Sequence, residues 1–378
     1  MFNLTYKSCD IMKKTKDTLT SQLTTVEKTD LVARIATMGV THIAISVVMD
    51  DNARLISVGS TTPSPRTVES ETQDWCSIIH AQPNVYGSGT YGGFLKVIHR
   101  GAFCGIENIW GFPFDTGTAL GTAASSAADG NTTWCGRYYR YLNNHVGTRV
   151  ATGDVFAPIP EGTTNAFGAN FFTNQAGYMS LFPQLNTITS TYATAQNVTL
   201  TFMSHNNFSE AASGWLASSL FSNQSMVGAD YYGQRRGALF NKPSDYVNDW
   251  AQLYLGKDWD GIGNNGCAGV NQFWGEWGDL PNAMSTSAAL TEENRLAFLI
   301  QFYKSLRDSL VSPNGHLVGF NNWGGWEGQN TSLLYKDSDG KYQLNARGKI
   351  LQSFFINNGG TTRVPVVTAG TAIDSYTY

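Results

Sequence analysis

The sequence predicts an α/β chain folded as a closed (β/α)8 barrel. Three observations point there. Strand-like and helix-like runs alternate from residue 24 to residue 356, the pattern of parallel βαβ units. The 378 residues suit one large barrel, which typically needs about 250 residues and exceeds 400 with insertions. No Gly-x-Gly-x-x-Gly follows the first strand, so the runner-up, an open doubly wound sheet, has no dinucleotide site to support it.

The elements follow in order. Thr24 and Glu27 form a capping box, and Leu31, Val32, Ile35 and Met38 follow at helical spacing up to Gly39. Residues 41–48 are β-branched and apolar, a buried strand. Residues 75–81 read as a helix, 94–99 as a strand, 137–145 as a helix and 154–159 as a short strand. Residues 178–195 are helical, 198–203 a strand, 211–221 helical, 226–232 a strand, 246–255 helical and 269–274 a strand. Thr291 caps a long helix carrying Leu296, Leu299, Ile300, Tyr303, Leu306 and Leu310. Residues 317–321 form a strand, and 333–344 a hairpin turning at Asp337-Ser-Asp-Gly340. Asn345 caps a last helix ending near Ile356. Seven strands are clear, and the third strand of the barrel is the weak one. Residues 1–358 are expected to form a single barrel domain and 359–378 a tail.

Composition excludes several classes. Charged residues are 14%, against about 25% in an average domain, and the formal net charge is -4, so no nucleic-acid surface is expected. Aromatics reach 12%, with ten Trp, which speaks against disorder. No apolar run approaches the roughly 20 residues of a membrane helix. The first 30 residues lack a secretory pattern. The compartment stays open, and an extracellular home would place a signal outside this chain. Oligomeric state is not readable. The five cysteines show no Cys-x-x-Cys pair. They read as buried small residues, with one disulfide, Cys104 to Cys135, as an alternative. The histidines show no metal spacing, and neither metal nor cofactor is expected.

Barrel function sits at the C-terminal strand ends. Those ends supply Asp50; His99 and Arg100; Glu161; His205 and Asn207; Asp230, Tyr231 and Tyr232; Glu276; and Trp323, Trp326 and Glu327. Two carboxylates stand out. Glu161 follows Gly153-Asp-Val-Phe-Ala-Pro-Ile-Pro160, and Glu276 is flanked by Trp274 and Trp277. An aromatic, partly dry setting is costly for an idle charge. Two carboxylates across a barrel mouth suit glycosidic cleavage, one as acid and one as nucleophile, and Trp and Tyr faces suit sugar rings. His205 is read either as a core histidine or as a sugar or acid/base contact.

Between residues 10 and 356 these segments resemble the clan A retaining glycoside hydrolases, TIM barrels of the family 5 type. Val97-Ile-His-Arg-Gly101 is similar to the family's strand-two arginine segment, and 153–161 to its strand four with the acid/base. Val227-Gly-Ala-Asp-Tyr-Tyr-Gly233 resembles the strand-six segment whose tyrosine touches the nucleophile. Asn271-Gln-Phe-Trp-Gly-Glu-Trp-Gly278 resembles the nucleophile strand, and 318–326 the strand with a sugar-stacking Trp. The resemblance implies a retaining hydrolase of β-linked poly- or oligosaccharide, with Glu161 as acid/base and Glu276 as nucleophile. It places Arg100 and Tyr231 on Glu276, with Trp274, Trp323 and Trp326 lining the subsites; His205 and Asn207, from their places at a strand end, are expected at the substrate as well. One position departs from the pattern: Pro160 stands where the family has Asn before the acid/base, and Asn165 or Asn207 is the substitute amide. Pro160 keeps a non-catalytic carbohydrate-binding protein as a rival. The low charge and the Thr/Gly-rich tail keep a structural or assembly protein as another.

Overall fold

The structure is a computed structural model. It describes residues 4–11, 13–15, 18–19, 23–48, 54–56, 63–84, 86, 93–102, 118–159, 175–207, 226–231, 243–254, 269–278, 292–311, 316–323 and 331–356. The expected helix at 211–221, together with Asp50, Tyr232 and the tail, lies outside them.

The main sheet runs through β1 (Tyr6–Asp10), β2 (His42–Val48), β3 (Lys96–Ala102), β4 (Val155–Ala157), β5 in two halves (Thr201–Phe202 and Ser204–Asn207), β6 (Val227–Asp230), β7 (Gln272–Trp277) and β8 (Leu317–Asn322). Every pairing between neighbours is parallel, and β8 pairs with β1. The two ends of the hydrogen-bonded order are the two halves of β5, so the sheet closes on itself as a (β/α)8 TIM barrel.

This closure corrects the sequence reading at one end. The missing strand is the first, not the third: β1 precedes the run at 41–48, and the Arg100 strand is therefore third in the barrel rather than second. Lys7 hides β1 in the sequence by interrupting its apolar pattern. In the structure that lysine is buried, its Nζ donating to the Phe355 carbonyl at 2.7 Å. Burial pulls its pKa down to about 8. The strand expected at 269–274 runs instead over Gln272–Trp277, which puts Glu276 inside it.

Helices α1 (Thr25–Ala36), α2 (Val68–Ala81), α3 (Trp134–Arg140), α4 (Gln175–Gln196), α5 (Pro243–Tyr254), α6 (Glu292–Ser309) and α7 (Ala346–Ile356) accompany the strands. The capping box at α1 forms as its sequence suggests: Thr24 accepts from the Glu27 N–H, and the Glu27 carboxylate accepts from the Thr24 N–H. Gly39 takes a φ of +80°, and a Cβ there would meet Ile356 of α7 at 2.9 Å. Glycine thus serves both the turn and the approach of the last helix. Asn345 caps α7, its Oδ1 accepting from the Gly348 N–H at 3.0 Å. The hairpin at Leu334–Lys336 and Tyr342–Leu344 forms as expected.

Two apolar cores follow from strand alternation. Tyr6, Ala44, Ile98, Val155, Ala157, Met203, Met226 and Phe273 fill the barrel interior. A larger cluster lies between sheet and helices, with Ile43, Val97, Phe156, Trp274, Trp277, Phe302 and Leu351 among its members. Burying each large apolar side chain contributes roughly 1.5–3 kcal/mol. Cys9, Cys76 and Cys135 are buried free thiols, and Cys135 acts as a core residue; Cys104, the other half of the alternative disulfide, lies outside the described residues.

Candidate active site

Two residues further along the strands, the interior turns from apolar to polar. Tyr6 gives way to Ser8, Ala44 to Ser46, Ile98 to Arg100 and Met203 to His205, with Asp10 one step of two further along β1. All of these polar side chains are buried. The period-two step of a strand therefore delivers one polar layer at the C-terminal end of the barrel, directly above the apolar one.

Arg100 is its centre. Its Nη1 donates to Asp10 Oδ2 at 2.9 Å, and its Nη2 donates to Glu276 Oε1. Asp230 Oδ2 lies 3.9 Å from Nη2. Burial alone would lower the Arg100 pKa. Its acidic neighbours, Glu276 foremost, outweigh burial and hold it above its ordinary value. Glu276 is the most open acid of the group: its side chain is 11% exposed, against 1% for Asp10 and for Asp230.

Strict alternation would turn Glu276 outward, because Phe273 faces the interior and Trp274 the helices. A register shift solves this. Ala229 pairs with Trp274, but the next residue, Asp230, pairs with Glu276, so Gly275 is the extra residue of a bulge that re-aims the carboxylate. Asn321 of β8 fixes the bulge. Its Nδ2 donates to the Gly275 carbonyl and its Oδ1 accepts from the Ser8 hydroxyl, each at 2.8 Å. Gly275 has no room for a Cβ, which would overlap His205 Nε2 and lie 2.7 Å from Asp230 Oδ1.

The expected site residues separate into three groups. Arg100 and Glu276 come together at the mouth. Trp323 follows β8 partly exposed, with its N–H donating to the Trp277 carbonyl at 2.7 Å. Three others are corrected. Trp274, expected at the substrate, is fully buried behind the sheet, stacked on Trp250 with centroids 4.3 Å apart. Tyr231, expected on Glu276, points its ring into the same outer layer and donates its hydroxyl to Asp249, while its backbone N–H donates to the Glu276 carbonyl at 3.3 Å. Alternation explains both, since each sits one residue from an inward position. His205, expected at the substrate, is fully buried and hydrogen-bonds Asp230 through Nε2. Asn207 is described only as backbone at the end of β5, and Glu161 and Trp326 lie outside the described residues.

Sequence reasoning missed Asp10, Gly275 and Asn321. Asp10 was hidden with its strand. Asn321 and Gly275 stand inside quoted motifs, but their roles depend on pairing across strands, which leaves no local signal. Among the described residues, no group of three or more His, Cys, Asp or Glu could hold a metal ion, and no helix is long and apolar enough to cross a membrane.

No family model and no curated protein sequence matches the chain. Solved structures do. GH5_18 from Bifidobacterium longum subsp. longum ATCC 55813, in complex with Manb1-4GlcNAc, matches with a TM-score of 0.52 at 11% identity, covering 93% of this chain and 77% of that one. The endo-beta-1,4-mannanase from Thermotoga petrophila matches with a TM-score of 0.49 at 10% identity, covering 95% and 77%. At such identities the likeness concerns fold alone: this chain has a TIM-barrel fold, as those glycoside hydrolases do.

Proposed function

We propose that the chain is a retaining glycoside hydrolase acting on β-linked poly- or oligosaccharide. The observation that carries this reading is the aim of Glu276: a bulge turns it into the barrel mouth, Arg100 pairs with it, and it is the most open acid of a buried cluster. In this reading Arg100 keeps Glu276 ionised and oriented, and Glu276 attacks the anomeric carbon. Glu161, four positions beyond Ala157 at the end of β4, protonates the leaving oxygen and then deprotonates water. Trp323 and Trp326 offer faces for sugar rings, with Asn207 as an amide contact. The two Glu carboxyls are expected about 5 to 5.5 Å apart, the separation of a retaining pair. No cofactor is needed.

The test begins with reducing-end release from a panel of β-glucans, mannans and xylans, with product anomers followed by NMR. Glu276→Ala and Glu161→Ala are then compared on the natural glycan and on an activated aryl glycoside. Glu276→Ala should be nearly inactive on both. Glu161→Ala should lose about 10²- to 10⁴-fold on the glycan and far less in glycosylation by the aryl substrate. Azide should rescue Glu161→Ala with retention and Glu276→Ala with inversion. Full activity of Glu161→Ala on the glycan would refute the acid/base role. Pro160 favours a second reading, a binding protein on the same barrel, and tight glycan binding without turnover by the unaltered chain would establish it.

A further inference from the structure

Against Glu276 lies a pair of groups that this mechanism leaves idle. His205 Nε2 and Asp230 Oδ1 share a hydrogen bond, and both side chains are shut away from solvent. Asp230 Oδ2 has no hydrogen-bond donor among the described residues. The two strands also fix Asp230 directly opposite Glu276 in register. An ionised Asp230 would therefore be a buried carboxylate with one donor at most, beside another carboxylate.

Charge counting sharpens the point. Among the described residues, the charged and titratable groups facing the pair are Arg100 from β3, Asp10 from β1 and Glu276 from β7. One guanidinium serves three acids, and its two terminal nitrogens are committed to Asp10 and Glu276. A buried charge left uncompensated is strongly unfavourable, and two carboxylates side by side disfavour ionisation of both.

We propose that Asp230 carries a proton, shares it in a hydrogen bond with Nε2 of a neutral His205, and by staying uncharged places no second negative charge beside Glu276. The pair are positioning residues, and this role rests on Glu276 being the nucleophile. Burial and Glu276 push the Asp230 carboxyl well above the usual range, with Arg100 offsetting only part. Burial and Arg100 push His205 well below its own, against a smaller pull from Glu276. The bulge at Gly275 is part of the device, since only a residue without Cβ lets His205 and Asp230 lie against the strand that carries Glu276.

The proton can be read without any substrate. In the full chain labelled with ¹³C at the Asp carboxyls, infrared spectra at neutral pH should contain a protonated-carboxyl band that Asp230→Asn removes. Absence of the band in the unaltered chain, or its survival in Asp230→Asn, overturns the proposal. Carboxyl ¹³C NMR reads the same proton should that variant fail to fold, with Asp230 assigned by through-bond correlation in the unaltered chain. Its signal should not titrate through the ordinary carboxylate range, and a titration there is fatal to the idea. The kinetic arm uses an activated aryl glycoside. The acid limb of kcat/KM, which reports the nucleophile, should stay in place in Asp230→Asn. A limb displaced to lower pH by about one unit or more would mean that a charge had been removed beside Glu276, and the proposal would fall. Lack of turnover by the unaltered chain on every glycoside would count against the hydrolase reading alone and leave the infrared result standing.

Discussion

Two buried charge clusters in this molecule are built from the same residue types and behave differently. One lies between α1 and α2. Lys28, fully buried, reaches Glu71 and Asp74, each at 2.7 Å, and Arg66 reaches the same two acids at 3.1 and 2.8 Å. The Trp75 indole donates to the remaining Glu71 oxygen at 2.8 Å, and Lys28 Nζ sits 4.9 Å from the Trp75 ring centroid. Two cations meet two anions, and the bonds close. The other cluster is the mouth, where, among the described residues, Arg100 is the cation that faces Asp10, Asp230 and Glu276. A balanced network ties two helices together, whereas at the mouth the described acids outnumber the described cations, the arrangement on which the proposed chemistry rests. Buried charge by itself marks neither role; the count of partners separates them.

The largest expected effects come from removing each cluster's central cation. Arg100→Met and Lys28→Met should each destabilise by about 3–5 kcal/mol in urea unfolding, because buried acids lose their partner. Only Arg100→Met should also abolish turnover by the folded fraction. A kcat loss in Lys28→Met would erase the distinction drawn above. Next in size is Gly275→Ala, whose Cβ has no space beside His205 and Asp230. It should cost about 1–3 kcal/mol and lower kcat, while a neutral result in thermal melts and rates would mean that the bulge is not tightly held.

The two clusters should also answer pH with opposite sign. Burial would raise Asp74, but hydrogen bonds from Lys28 and Arg66 override it and hold its pKa below the usual value. Its contribution to stability is present above the ordinary carboxylate range and is lost as pH falls through the folded pKa. Asp230 is raised, so its contribution is present in full below that range and is lost as pH rises toward the folded pKa. Unfolding free energy against pH should therefore lose part of its acid decline in Asp74→Asn and part of its decline at higher pH in Asp230→Asn. Identical profiles for the two variants would contradict the assignment. The smallest effect is expected from Arg66→Ala. That side chain is 29% exposed, and the loss should stay within about 1 kcal/mol and shrink in high salt.

Much of the fold could be read in the residues. Thr24 and Glu27, Asn345, and Asp337 through Gly340 each announce a cap or turn, because those signals are completed within a few residues. Strands β2 and β6 were visible as apolar runs. By contrast, β1 stayed hidden because Lys7 reads as an exposed residue and finds its acceptor only on α7, 348 positions away. The site was half visible. Arg100 and Glu276 could be picked out as polar residues at strand ends. Trp274 and Tyr231 were misplaced because a strand end alone does not tell the inner face from the outer.

By itself, then, the sequence determined the alternation of elements, most of their limits, and the step from apolar to polar two residues on along the strands, as at Ile98 and Arg100 or Met203 and His205. Each of these is local, set by propensity, capping and the period of two. Tertiary structure decided that Asp10, Arg100, Asp230 and Glu276 meet at all, since they stand on four strands joined by long crossovers. It also decided the register shift that turns Glu276 inward. Register between parallel strands is settled only when the barrel closes and every neighbour's hydrogen bonds and side chains must fit at once, and no short stretch of sequence contains that condition.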